Sequence, residues 1–108
     1  MPLSTPLAIQ SAPELEEVVG NAPLPVLIDF WAAWCGPCRS VAPELEKMAR
    51  ERAGGLIVAK VDTEALPDVA SRFAIRSIPT MILMRGGRES KRIMGAMPAS
   101  SIAAQLAI

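Results

Sequence analysis

The two cysteines of this chain, Cys35 and Cys38, are separated only by Gly36 and Pro37. Pro is favoured in the first turn of a helix, so we predict that a helix begins at this step. A three-residue separation then puts both side chains on one helix face, with Cβ atoms about 5–6 Å apart. A small adjustment brings them to the roughly 3.5–4.5 Å that a disulfide requires. So short a ring stabilises a fold by only about 2 kcal/mol. The spacing therefore indicates a bond that opens and closes, not a structural crosslink.

The position of each cysteine predicts a division of roles. The start of a helix carries unpaired N–H groups and the positive end of the helix dipole, and both lower the pKa of a thiol. We therefore predict that Cys35, exposed on the turn beside Trp34, is the attacking sulfur. Cys38, one turn further in and more buried, is the resolving sulfur, and Arg39 adds positive charge nearby. Two alternatives are a pair of inert buried thiols, and a zinc site, which needs four ligands and so would require dimerisation.

Composition narrows the classes of function. The chain has 108 residues, 51% of them hydrophobic, which predicts one domain over residues 1–108. Its 11 basic and 11 acidic residues give a formal net charge of zero, so we expect no nucleic-acid or membrane partner. The chain contains no histidine, which excludes Ser-His-Asp and Cys-His catalysis and histidine-ligated metals. The N-terminus does not read as a signal peptide and there is no cysteine framework, so we predict a cytoplasmic protein, although a processed secreted form would look the same.

Periodicity predicts the order βαβαββα, after an irregular start and a short helix at residues 13–19. Short apolar runs at residues 25–31 and 56–61 indicate strands that are buried on both faces. The remaining predicted elements are a helix from Gly36 to about Arg52, a short helix at residues 66–73, strands at residues 80–84 and 89–94 joined at Gly86-Gly87, and a final helix at residues 98–107. This order predicts an α/β fold whose sheet is partly parallel and is covered by helices on both faces.

Two charged residues interrupt the apolar strands, Asp29 in the first and Lys60 in the second. If Asp29 points inward, desolvation raises its pKa and makes it a candidate proton acceptor for Cys38. Lys60 could then pair with it. Strand alternation equally allows both charges to face solvent, and the pattern alone does not decide between these arrangements. For Pro79, base rates alone predict an ordinary trans bond.

A series of short motifs runs along the chain: Phe30-Trp31-Ala32-Ala33-Trp34-Cys35-Gly36-Pro37-Cys38, Ala42-Pro43, Val61-Asp62, residues 73–80 (FAIRSIPT) and Gly95-Ala96. In this order and at these spacings they resemble the thioredoxin family over essentially the whole chain. One Cys-x-x-Cys motif would be weak support, whereas the full series is specific. The departures are mild: Phe73 where the family often has Tyr, Arg39 where it often has Lys, and Gly86-Gly87 in place of Asn-Gly.

The resemblance implies a thioredoxin fold, with a central mixed β-sheet flanked by helices on both faces. It also implies that Cys35 is the nucleophile, that Cys38 is the resolver, and that Asp29 is a buried carboxylate with Lys60 beside it. By the same comparison Pro79 is a cis proline that faces the disulfide. The residues expected to line the docking groove for a substrate chain are Trp34, Gly36, Pro37, Ile78, Pro79, Gly95 and Ala96. Met94 and Met97 flank that groove and leave its specificity open.

The function implied is that of a protein-disulfide reductase, a thiol-disulfide oxidoreductase that acts through Cys35 and Cys38 without a bound cofactor or metal. The implied partners are disulfide-containing proteins and a thioredoxin reductase that restores the dithiol, and the chain is expected to be a monomer. One rival is a disulfide oxidant or isomerase of the same fold. Such oxidants commonly have a histidine between the cysteines, where this chain has Gly36-Pro37. Another rival is a binding subunit in which the thiols are incidental.

Overall fold

The computed structural model describes residues 3–108, so the first two residues of the predicted domain lie outside the described range. Its elements are β1 (Leu7–Ala8), α1 (Ala12–Asn21), β2 (Val26–Trp31), α2 (Gly36–Glu51), β3 (Ile57–Asp62), α3 (Pro67–Arg72), β4 (Thr80–Arg85), β5 (Arg88–Met94) and α4 (Ala99–Leu106). The predicted α/β order is confirmed, with boundaries shifted by at most a few residues. No helix within residues 3–108 is both long and apolar enough to span a membrane.

Strand β2 lies at the centre of a five-stranded sheet of order β1-β3-β2-β4-β5. It runs parallel to β3 and antiparallel to β4, so that Ile28 has Ala59 on one side and Ile82 on the other. The last strand, β5, is antiparallel to β4. Because both faces of β2 are covered, residues 26–30 are all buried. The continuous apolar run therefore predicted its place correctly.

Alternate residues of the strands face two separate cores. On one face, α2 and α4 cover the sheet, and this core includes Leu27, Val41, Leu45, Met81 and Ile102. On the other face, α1 and α3 cover it, and that core includes Leu15, Ile28, Phe30, Val69 and Ile82. Successive strand residues point to opposite faces. Asp29, between Ile28 and Phe30, therefore points to the face that α2 covers.

Strand β1 was missed by the sequence analysis, which treated the start of the chain as irregular. Leu7 and Ala8 pair in parallel with Ala59 and Lys60 of β3. Two residues are too few to show a period-two pattern, and only the pairing with β3 makes them a strand. The consequence is that β3, and Lys60 with it, is not at the edge of the sheet.

The start of α4 is held by a side chain from α2. Pro98, at the N-cap position, makes no side-chain capping bond. Instead the Ala99 N–H donates to Glu44 Oε1 at 2.8 Å. A carboxylate at a helix N-terminus satisfies an unpaired donor and interacts favourably with the helix dipole. Glu44 therefore fixes α4, and the Gly95-Ala96 segment before it, to the helix that carries Cys38.

Helix α3 ends in a Schellman motif with an alanine in the left-handed position. The Ala74 N–H donates to the Ser71 carbonyl and the Ile75 N–H to the Ala70 carbonyl, both at 3.0 Å. Ala74 has φ +54°. Glycine usually takes this position because it has no Cβ. An exposed alanine there stores strain immediately before the segment that leads to Pro79.

We expect Ala74→Gly to raise the free energy of unfolding by about 0.5–1 kcal/mol. Relief of the left-handed strain is worth roughly 1–2 kcal/mol, and the greater freedom of glycine in the unfolded chain returns roughly 0.5–1 kcal/mol. Urea melts of both proteins measure the difference. As a matched control, Ala104→Gly at an exposed position of α4 should lower the free energy of unfolding by about 1 kcal/mol. Equal losses in both variants would contradict the account of Ala74.

Candidate active site

The two cysteines lie at the start of α2, after the turn that follows β2. Cys35 is the N-cap residue of α2, and its Sγ accepts the Cys38 N–H at 3.2 Å. The two sulfurs form a disulfide, with Cα atoms 5.2 Å apart. The predicted pairing at a helix start is confirmed. A sulfur that replaces a capping oxygen receives an N–H donor and the positive helix end, both of which favour the thiolate.

The prediction that Cys35 is exposed and Cys38 is more buried is wrong. Cys35 is 4% exposed and Cys38 is 3% exposed. Cys35 is covered because Ile78 packs against the pair and its carbonyl oxygen lies 3.7 Å from Cys35 Sγ. What distinguishes the two sulfurs is hydrogen bonding rather than exposure, since the N–H of Cys38 points at Cys35. The neighbouring Trp34, at 67% exposed, is the large apolar side chain at the surface here.

Arg39 fixes the turn that precedes Cys35. Its Nη1 donates to the Ala33 carbonyl at 2.7 Å, across the first turn of α2. Gly36 is half-buried and Pro37 is exposed in that same turn. The segment that carries the disulfide is thus braced by its own helix.

Asp29 is buried within the central strand β2, with 0% of its surface exposed. Neither carboxylate oxygen has a hydrogen-bond partner among the described residues. The pKa of Asp29 is raised to about 7, because desolvation by burial raises it by more than the Lys60 ammonium lowers it. The solvent-facing alternative for Asp29 is therefore wrong. Its carboxyl is a group that can gain or lose a proton near neutral pH.

Lys60 lies beside Asp29 but forms no ion pair with it within residues 3–108. The two residues are directly in register between β2 and β3. The Lys60 side chain is half-buried, and its Nζ lies 4.8 Å from the centroid of the Trp31 ring. The ring face attracts the ammonium group. Lys60 is thus near enough to bias the Asp29 charge while Asp29 stays unpaired.

Residues 73–79, which we call the docking loop, connect α3 to β4 and pass over the disulfide. The Ile78–Pro79 bond is cis, as the family resemblance implied and against the base rate. The Ile78 N–H makes no main-chain hydrogen bond within residues 3–108. The Pro79 carbonyl accepts the Gly95 N–H at 2.9 Å, and Gly95 has φ +96°. The Ile78, Pro79 and Gly95 main chains therefore meet at one place, beside Cys35.

A groove of about 320 Å³ adjoins the disulfide on the α3 side. It is lined by Trp34, Thr63, Ala70, Ile75, Arg76, Ser77 and Ile78. Only Trp34 and Ile78 of these were predicted. Ile75, Arg76 and Ser77 belong to the FAIRSIPT motif, which was a usable signal, whereas nothing in the sequence marks Ala70. Gly95 joins the site through its N–H, which donates to the Pro79 carbonyl, and Ala96 follows it in the chain.

Comparison with known proteins decides the family. The thioredoxin family model matches residues 7–107. The chain belongs to the thioredoxin family. A thioredoxin from Alicyclobacillus acidocaldarius is 52% identical over 77% of this chain and 79% of that protein. A bifunctional thioredoxin reductase/thioredoxin from Mycobacterium leprae is 57% identical over 67% of this chain and 16% of that protein. A mutant thioredoxin from Halobacterium salinarum NRC-1 has TM-score 0.90 at 29% identity, over 98% of this chain and 91% of that chain.

Thioredoxin family membership and the Cys35–Cys38 pair together make this chain a thiol-disulfide oxidoreductase. The predicted fold and enzyme class are confirmed. Within residues 3–108, no group of three or more Asp, Glu, His or Cys side chains is arranged to hold a metal ion.

Proposed function

We propose that this chain reduces disulfides of partner proteins, with Cys35 as the attacking sulfur. The observation that carries the proposal is the Cys38 N–H directed at Cys35 Sγ, 3.2 Å away, at the start of α2. That donor stabilises negative charge on Cys35 selectively, since Cys38 lies inside the helix. The thiolate is the nucleophile in exchange.

The reaction balances on sulfur alone. The Cys35 thiolate attacks one sulfur of the substrate disulfide, forms a mixed disulfide and releases the other substrate sulfur as a thiolate. Cys38 then loses its proton and attacks Cys35 Sγ, which releases the second substrate thiolate and leaves the Cys35–Cys38 disulfide. Two electrons have moved to the substrate. Asp29 has a pKa of about 7, so its carboxylate form is present at neutral pH. We propose that this carboxylate takes the Cys38 proton.

The residues proposed to bind the substrate contact it mainly through their main-chain groups. The Ile78 N–H and carbonyl are available for an extended substrate segment to pair with, in the manner of strand addition. Trp34 and Ile78 offer apolar surface in the groove beside the disulfide, and Gly95, bonded to the Pro79 carbonyl, offers backbone together with Ala96. Gly36 and Pro37 form the turn between the two sulfurs. We propose that the substrate chain lies across these residues.

We further propose that a thioredoxin reductase restores the dithiol form of this chain. A Mycobacterium leprae relative is named as a bifunctional thioredoxin reductase/thioredoxin, which supports re-reduction of this chain by a thioredoxin reductase. The absence of histidine between the cysteines, where Gly36-Pro37 stand, favours a reductant over an oxidant. A cytoplasmic, monomeric protein remains the expectation from the sequence.

The test is the reduction of insulin disulfides, together with the reduction potential of the Cys35–Cys38 pair. We expect turnover driven by dithiothreitol and a potential near the value of about −270 mV known for thioredoxin itself. A potential near the −120 mV or so of the oxidant DsbA would reverse the proposed direction. A protein that binds partners equally well after loss of both sulfurs would instead be a binding subunit.

A further inference from the structure

The docking loop is attached at both of its ends to residues in β5 or directly after it. At one end the Gly95 N–H donates to the Pro79 carbonyl at 2.9 Å. At the other, Arg92 Nη2 donates to the Phe73 carbonyl at 2.8 Å. Arg92 lies in β5 and Gly95 directly follows the strand, three residues later, so one short stretch of chain holds both ends of the loop. The first attachment is main chain, and the second depends on the Arg92 side chain.

Arg92 is held in one orientation by Glu89. Its Nε donates to Glu89 Oε2 and its Nη2 to Glu89 Oε1, both at 2.8 Å. This two-point contact lowers the pKa of Glu89 and raises that of Arg92, so both stay charged. The pair is partly exposed, with side-chain exposures of 27% for Arg92 and 39% for Glu89. Such an ion pair adds little stability on its own. A guanidinium group that is bound at two points, however, directs its remaining N–H to a fixed position.

The direction of Arg92 follows from its place in the strand. Ile93 lies in the core beneath α2 and α4, so Arg92 points to the opposite face, towards α3. There it meets the carbonyl of Phe73, whose ring lies 5.4 Å from that of Phe30. The next residue is Ala74, with its strained φ of +54°. A segment that begins in a strained conformation needs an external contact to stay there.

We infer that Arg92 is a positioning residue, which sets the docking loop so that the Ile78 main chain meets a substrate strand beside Cys35. The catalytic meaning of this inference rests on the proposed function. Arg92 does not line the groove, and its side-chain hydrogen bonds go to Glu89 and Phe73. It acts through Phe73 and the loop that follows.

The test compares Arg92→Met with Lys91→Met. Both variants remove one positive charge from adjacent residues of β5, but the Lys91 side chain makes no hydrogen bond or ion pair within residues 3–108. In Arg92→Met we expect the KM for insulin to rise at least about fivefold while kcat stays within about twofold. Hydroxyethyl disulfide has no peptide chain to pair with Ile78, so its rate constant should change less than about twofold. Lys91→Met should match the parent protein in all three.

A second measurement does not depend on catalysis. The amides of Ala74 and Ile75, bonded to the end of α3, should exchange hydrogen at least about fivefold faster in Arg92→Met than in Lys91→Met. Glu89→Ala, which keeps Arg92 but frees its guanidinium group, should give smaller changes of the same kind and serves if Arg92→Met does not fold. Unchanged exchange in these variants, or equal loss of rate with insulin and hydroxyethyl disulfide, overturns the inference. If the parent protein does not reduce insulin but Arg92→Met still exchanges hydrogen faster, the proposed function is overturned and the positioning role of Arg92 is supported.

Discussion

In the Cys38→Ser variant we expect a stable covalent adduct between Cys35 and a substrate protein. The attack by Cys35 needs only its own thiolate, which the N–H of residue 38 still stabilises, whereas nothing remains to expel the bound sulfur. In Cys35→Ser we expect no adduct and a loss of insulin reduction of at least about 10³-fold, since the nucleophile itself is gone. Intact-protein mass spectrometry detects the adduct, and dithiothreitol should release it.

Each of these variants is the control for the other, because both leave one thiol in the same turn of α2. The opposite pattern, an adduct at Cys38 in Cys35→Ser, would reverse the assignment of roles. Because the two cysteines are equally buried, at 4% and 3% exposed, solvent access alone would give similar yields for both variants. The experiment therefore separates the effect of the helix end from that of exposure.

For Asp29→Asn we expect higher stability at neutral pH and slower resolution of the mixed disulfide. The folded pKa of Asp29 is about 7, above the ordinary aspartate value of 3.8. Below the unfolded pKa both states hold the proton and the variant should match the parent protein. As pH rises towards the folded pKa, the unfolded state loses its proton first and the parent protein loses stability. Above about pH 7 the gain of Asp29→Asn should reach about 2–4 kcal/mol.

Urea melts of the disulfide form at pH 4 and pH 8 measure this gain, with Asp68→Asn as the control. Asp68 is exposed in the first turn of α3, so its replacement should change the free energy of unfolding by less than about 0.5 kcal/mol. Rapid mixing with substrate measures the two chemical steps. Attack by Cys35 should stay within about twofold and resolution by Cys38 should slow by about 10²-fold, the loss expected when a general base is removed. A variant that resolves at the parent rate and gains no stability would remove Asp29 from the mechanism.

Much of the fold was predictable because its signals are local. The apolar run of β2, the Gly36-Pro37 helix start and the Gly86-Gly87 turn each depend on neighbouring residues only. Strand β1 was missed because a pair of residues has no period of its own. The family motifs added what local patterns left open, namely the burial of Asp29 and the cis bond before Pro79.

The parts that sequence reasoning missed all depend on contacts between distant segments. Cys35 was expected to be exposed, and its burial comes from Ile78, which is 43 residues away in the chain. Glu44 reads as one charge among several on the surface of α2, yet it caps a helix that begins 55 residues later. Arg92 likewise gives no sign in the sequence that it reaches Phe73. These contacts are set by how the elements pack, and no pattern within one element contains them.

The proposed docking at the Ile78 main chain has a consequence for which disulfides this chain would reduce. Every polypeptide carries the same N–H and carbonyl groups, so docking of this kind recognises a conformation and not a particular sequence. A disulfide in a segment that opens readily into an extended form is therefore accessible, while the same bond locked in a rigid core is not. The susceptibility of a client is then governed by the local opening free energy of the client itself. On this proposal, a disulfide in a mobile segment is reduced in preference to one in a rigid core.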